Sequence, residues 1–311
     1  MTPVKWVYSF LEKYRYKMAA GLLMVTGIAL LTIVNPYISG RIVDDVITGG
    51  NYKLLPVLIG CLLGVVALKG ILRYASQVMF EICSQGVLYS MRDAVYRKLL
   101  QEDFSFYNKN RTGDLMSRQT GDMDAIRHFI AYIIYSVYEN ILLLSFALIM
   151  IFTVNVKLAL AMLVVLPFTA LTTYGQSKSV RPAFMKIRQQ FSSLNTFVQE
   201  NISGNRVVKA FAREDFEIEK FNKENDAYRD AELNAAAIWK KYVPIFEFLS
   251  NILTVVLMLY GGYMVIQGEI TMGNLVTVNG YLWMLTVPLR MAGWWINDIH
   301  RFTTSAEKIY T

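Results

Sequence analysis

Cysteine and histidine are almost absent from this 311-residue chain, with two of each. Cys61 and Cys83 cannot build a disulfide framework and show no metal-ligand spacing, so both read as small apolar fillers. His128 and His300 stand far apart without a ligand-like cluster, and each reads as an interfacial or helix-end residue rather than part of a metal site. No G-x-x-x-x-G-K-[ST] phosphate-binding loop occurs, and no catalytic constellation either, so no cofactor-binding or catalytic residue is assigned in this chain. An A-x-A-like exit is missing after the basic N-terminal segment and the apolar run 18–34, which favours a retained first span over a cleaved signal. Proline is sparse, seven in all, with none from 57 to 101.

What the chain does have is apolar residues. Hydrophobic residues make up 54%, more than an ordinary soluble domain, yet 18% charged residues is too many for a chain wholly buried in lipid. One part belongs in a bilayer and another in water. A net charge of +7 raises the question of nucleic acid. Here, however, the basic residues sit between apolar runs, so membrane topology explains them and no nucleic-acid partner is expected.

Stretches long enough to cross about 30 Å of hydrocarbon fall at 18–38, 54–76, 129–152, 158–176, 243–266 and 275–296. The second and sixth are the least clean, because they carry Lys69, Arg73 and Arg290. Orientation follows from lysine and arginine in the connections. The first tail holds Lys5, Lys13, Arg15 and Lys17, the second-to-third connection holds seven from Arg92 to Arg127, and the fourth-to-fifth holds twelve from Lys178 to Lys241. The opposite side has only Arg41, Lys53 and Lys157. Both termini are expected to be cytoplasmic.

The outer connections are short turns at 48–51, 153–155 and 268–274. The two inner ones are long and helix-like. Val87, Leu88, Met91, Val95 and Leu99 recur at spacings of one, three and four, as do Phe184, Ile187, Phe191, Leu194, Phe197 and Val198. A helix over 54–101 would be roughly 70 Å long, more than twice the hydrocarbon thickness. A break is expected at Gly204, with a charged helix following over 216–237. Pro167, Pro182 and Pro244 read as kinks. Residues 1–17 read as an amphipathic helix on the inner leaflet, with Trp6 at headgroup level.

The tips of the inner hairpins are the first functional candidates. Around the first, Arg111, Gly113, Asp114, Leu115, Met116 and Arg118 lie near a short helix start where the dipole favours aspartate. Around the second, Gly204, Arg206, Val207, Val208, Lys209 and Phe211 expose apolar groups among basic ones, and Phe211 suits a partner's groove. The first also reads plainly as a solvated, capped turn, and the second as apolar residues packed against the chain's own helices. Within the spans, Lys69, Arg73, Gln77, Glu139, Asn279, Trp283, Arg290 and Asn297 are candidates for a water-filled, amphipathic substrate cavity. Lys69 and Arg73 share a face and serve equally as ion-pair partners for Glu139.

Four separated stretches resemble the membrane domain of exporter-type ABC transporters. They are Pro36-Tyr-Ile-Ser-Gly-Arg-Ile-Val-Asp44; Phe106-Tyr107 with Thr112-Gly-Asp-Leu-Met-Ser-Arg-Gln-Thr-Gly-Asp122; Glu200-Asn-Ile-Ser-Gly204 with Val207-Val-Lys-Ala-Phe211 and Glu214; and Gly268-Glu-Ile-Thr-Met-Gly-Asn-Leu275 with Tyr281, Pro288 and Ser305-Ala-Glu-Lys308. The resemblance implies an all-α membrane protein of six long helices reaching into the cytoplasm, with two coupling helices at the tips and a domain-swapped dimer of identical or related half-transporters. It implies an interfacial helix at 1–17, a six-helix domain at 18–308, and at 309–311 the start of a linker to a nucleotide-binding domain, either cut away at the boundary or carried on a separate chain. That absent domain would bind ATP and Mg2+, so whether the chain counts as part of an enzyme stays open. Efflux of a small amphipathic drug or lipid from the cell membrane is the implied function. An ion-gradient-driven transporter, which would show inverted repeats and broken helices, and a membrane scaffold or receptor are the alternatives.

Overall fold

The computed structural model describes residues 2–310, which are almost entirely helical, with no strand among them. In chain order the helices are α1 (Pro3–Leu11), α2 (Arg15–Arg41), α3 (Leu55–Gln101), α4 (Phe104–Lys109), α5 (Thr112–Ser117), α6 (Met123–His128), α7 (Ile134–Val154), α8 (Val156–Leu163), α9 (Val165–Ala210), α10 (Glu214–Val256), α11 (Gly262–Ile266) and α12 (Met272–Tyr310). Wider π-helical turns continue α2 over Ile42–Thr48 and bridge α5 to α6, α6 to α7 and α10 to α11, at Arg118–Asp122, Phe129–Ile133 and Leu257–Gly261.

Helix α3 runs 47 residues without interruption, about 70 Å at 1.5 Å per residue. Pro56 falls at its start, where no intrahelical N–H partner is needed. Five helical stretches are long and apolar enough to cross a membrane: Pro3–Thr48, Tyr52–Gln101, Thr112–Val154, Val156–Ala210 and Glu214–Ile266. The sixth expected span, 275–296, is helical within α12 but stands outside that set, since Asn279, Arg290 and neighbouring aromatics dilute its apolar character.

One reading is corrected. Gly204 does not break its helix: α9 continues to Ala210, and a Cβ on Gly204 would meet nothing within 4 Å. The turn comes at 211–213, where Ala212 sits at φ 47°. There Arg213 N donates to Val208 O at 3.1 Å and Ala212 N to Lys209 O at 3.3 Å, the Schellman pattern that satisfies a helix's last carbonyls. The prolines also differ among themselves. Pro182 and Pro244 lie inside unbroken helices. Pro167 instead follows an interruption at Val164, as expected when a proline cannot donate to the carbonyl four residues back.

The chain forms two compact units. One runs from the N-terminus to Leu166 and resumes at Leu253. Its core lies along α2, α3, α6, α7 and α12, with Val25, Ile28, Phe80, Met123, Ile130, Leu285 and Tyr281 fully or nearly fully buried. The other, Pro167–Ile252, is an antiparallel pair made from most of α9 and α10. Two helices can cover only one face each, so few of its residues are buried: Thr169, Thr173, Ala231, Ala235 and Phe246.

Candidate functional site

The first inner tip is punctuated at Asp103. Its carboxylate Oδ1 accepts the Phe106 N–H at 3.0 Å and the Ser105 hydroxyl at 2.8 Å, capping α4. Those two bonds, the Ser105 hydroxyl foremost, hold the Asp103 carboxyl below its ordinary range. The cap's contribution is therefore present above the unfolded pKa and lost as pH falls through the folded one. Asp114 lies in the first turn of α5, where the dipole favours it, and the N-cap residue Arg111 makes no side-chain cap hydrogen bond. Arg111, Gly113, Asp114 and Met116 are exposed and Arg118 half-buried, whereas Leu115 is buried, so Leu115 supports the tip from within rather than lining its surface. Phe104, which the sequence reading passed over, is 90% exposed.

At the second tip Arg206, Val207, Lys209 and Phe211 are exposed, with Gly204 and Val208 half-buried. Phe211 is 73% exposed and has no core of its own. Lys209 Nζ pairs with Glu214 at 3.0 Å across the turn. The Glu214 carboxyl is held below its usual range, first by its own backbone N–H at the start of α10 and then by Lys209.

Within the span region the candidates separate into two sets. Arg73 grips Glu139 with both guanidinium nitrogens, at 2.6 and 2.5 Å. Glu139 has only 10% of its side chain exposed. This bidentate pair joins α3 to α7, so its charges are spent on each other. Lys69 lies half-buried one turn away, and Gln77 is exposed. The second set lies on α12. Asn279, Trp283, Arg290, Trp294 and Asn297 are spaced by four, seven, four and three residues, which at 3.6 residues per turn puts them on one side. All five are exposed, while Leu275, Val278, Tyr281, Leu285 and Pro288 face the core. The structure thus gathers Asn279, Trp283, Arg290 and Asn297 into one polar and aromatic stripe and leaves Lys69, Arg73, Gln77 and Glu139 on another element pair.

The turn after α2 and the start of α12 carry a feature invisible in the sequence reading. Asp44 Oδ1 accepts the Gly273 N–H at 2.7 Å and its Oδ2 the Thr271 hydroxyl at 2.5 Å. Thr271 in turn accepts from Asn274 N at 3.0 Å, so the carboxylate and the hydroxyl together satisfy the start of α12. Gly273 is needed for close approach: a Cβ there would run into Gly40 O and the Asp44 carboxylate. A small cavity of about 240 Å³, lined by Tyr37, Asp44, Met150 and Thr277 among others, lies beside this clasp. Both halves of the clasp lie in stretches singled out in sequence, but nothing there signalled that they meet. Arg41 pairs with Asp45, and Lys157 with Glu269 at 3.1 Å.

Long apolar rods joined through charged, structured tips define a multi-pass α-helical membrane protein. The family model of the ABC transporter transmembrane region matches residues 18–289, and the chain belongs to that family. It is 36% identical over 300 residues to the uncharacterized ABC transporter ATP-binding protein YknU of Bacillus subtilis (strain 168), covering 95% of this chain and 51% of the relative. It is 27% identical over 301 residues to the multidrug resistance-like ATP-binding protein MdlA of Escherichia coli (strain K12), 96% of this chain and 50% of the relative. To the ATP-dependent lipid A-core flippase of Syntrophus aciditrophicus (strain SB) it is 26% identical over 297 residues, 96% of this chain and 49% of the relative. The chain therefore spans about half the length of these relatives.

Proposed function

We propose that this chain is the translocation half of an ATP-driven exporter of amphipathic drugs or lipids, a six-span domain at 18–308 placed in the cell membrane with both termini cytoplasmic. The exposed stripe on α12 carries the reading. Its indoles and amides suit an amphiphile, and a helix that buries its opposite side against its own unit holds that stripe in place. Arginine and asparagine at membrane depth are costly against lipid and settle against a wet cavity or a partner. The inner tips serve as grips for nucleotide-binding domains, where ATP and Mg2+ would act. None of the residues here is assigned to bind them. A second half-transporter, identical or related, completes the cavity. Closing the tips together on ATP binding would open the cavity outward, and hydrolysis would reset it. Family membership and relatives named for ATP binding weigh against both the ion-gradient transporter and the scaffold.

Reconstitution of the full-length protein in liposomes tests this. Arg290→Ala and Trp283→Ala are expected to change the rank order of transported amphiphiles, compared between a cationic dye and a fluorescent phospholipid. Glu139→Gln, altering a structural pair, is expected to lower stability without reordering substrates. Unchanged profiles in both α12 variants would remove the stripe from the pathway.

A further inference from the structure

The first inner tip is tied to a distant part of its own unit. Asp122 ends the π-helical turn behind the tip, with 14% of its side chain exposed. Its Oδ1 accepts the hydroxyl of Ser305, a residue 4% exposed, at 2.9 Å, and Lys308 Nζ lies at 3.8 Å. Both partners come from the last turns of α12. Around this polar link lies an apolar core joining Met123 and Ile126 behind the tip, Phe302 and Ile309 of α12, and Val7 and Leu11 of α1. Phe129 stacks on Phe302 with centroids 4.0 Å apart.

The N-terminal helix packs Val7 and Leu11 into this core, and Trp6 meets Phe10 and Tyr310 edge-on. Separating the tip from α12 would strand a nearly buried carboxylate without its donor and open the apolar core to water. Interiors packed this closely respond as bodies rather than by bending.

We propose that Asp122 is a positioning residue that fastens the first inner tip to the end of α12, so that tip and helix end travel as one body. The inference rests on reading that tip as a grip for a nucleotide-binding domain. Its consequence is a direct route: a push at Gly113 or Met116 reaches the helix that carries the α12 stripe through Asp122 and Ser305, without first passing up α3 and across the span region.

Two measurements on the full-length protein in liposomes or nanodiscs decide it. The first compares transport per ATP hydrolysed in Asp122→Ala, Ser305→Ala and the double variant. Each single change is expected to lower the ratio roughly fivefold or more while hydrolysis persists, and the double to be no worse than either single, because both remove one interaction. Asp122→Asn keeps an acceptor oxygen for Ser305 and is expected to stay near wild type. Wild-type ratios in the alanine variants, or losses that multiply, overturn the proposal. The second leaves the link intact. Spin labels at exposed Thr120→Cys and Thr304→Cys, in a Cys61→Ser, Cys83→Ala background, are expected to report one narrow distance with and without nucleotide. A broad or shifting distribution overturns it. A wild-type protein that fails to hydrolyse ATP would count against the exporter reading instead, and the label distance would still decide the seam.

Discussion

Two residues illustrate how local chemistry sets stability here. Ala212 holds a left-handed conformation that glycine adopts freely and alanine does not. Replacing it by glycine is expected to stabilise the second unit by about 0.5–1 kcal/mol. Gly204, inside α9 with open space at its Cβ, should behave in the opposite sense: Gly204→Ala is expected to gain about 1 kcal/mol by helix propensity. Melting temperatures of the two variants check both, and a loss on Gly204→Ala would return the break to that position. The Arg73–Glu139 pair belongs to the same scale. Removing Glu139 alone leaves a half-buried guanidinium uncompensated and should cost about 3 kcal/mol. Replacing both residues by apolar ones of similar volume should restore most of it. A double variant no more stable than Glu139→Leu alone would show that the pair matters for more than its own charges.

At the scale of elements, Phe211 closes a hairpin whose two arms run 46 and 43 residues. We propose that Phe211, three-quarters exposed at this tip, is an anchor for the groove of a nucleotide-binding domain. In the full-length protein Phe211→Asp is expected to cut transport per ATP on the order of tenfold while folding persists, as judged by melting temperature. An unchanged ratio removes the docking role. How well these elements could be read from sequence depended on what kind of signal each left. The long rods were legible because apolar spacing runs unbroken from Leu54 past Leu99 and no proline interrupts it. The tips were legible because charge and turn residues cluster there. What escaped were features made by contact. Asp44 and Gly273 meet across 229 positions, and no periodicity encodes that. Leu115 looked like a surface residue until the chain closed over it. The break near Gly204 was misplaced because glycine is only a statistical mark of a helix end, while the hydrogen-bond geometry that ends α9 sits eight residues later.

At the scale of the whole molecule, the unit Pro167–Ile252 leaves much apolar surface uncovered. Phe184 and Phe191 are 45% and 50% exposed, at positions beyond the span expected to end at 176. A pair of helices covers only one face of each, and we propose that a partner covers exposed aromatics of this kind. A second copy, or a related half, supplies one with the same inner level and the same pattern of rods. In lipid nanodiscs or mild detergent the protein chain is therefore expected at about twice its 35.5 kDa in mass measurements, or paired with a relative when the two are expressed together. Phe184→Glu places a charge on the uncovered face without touching the buried Phe246 or Ala235, and should shift the population toward the single chain. A wild-type protein that stays monomeric at every concentration, yet still melts cooperatively, would mean that this face is covered by something other than a second transporter half.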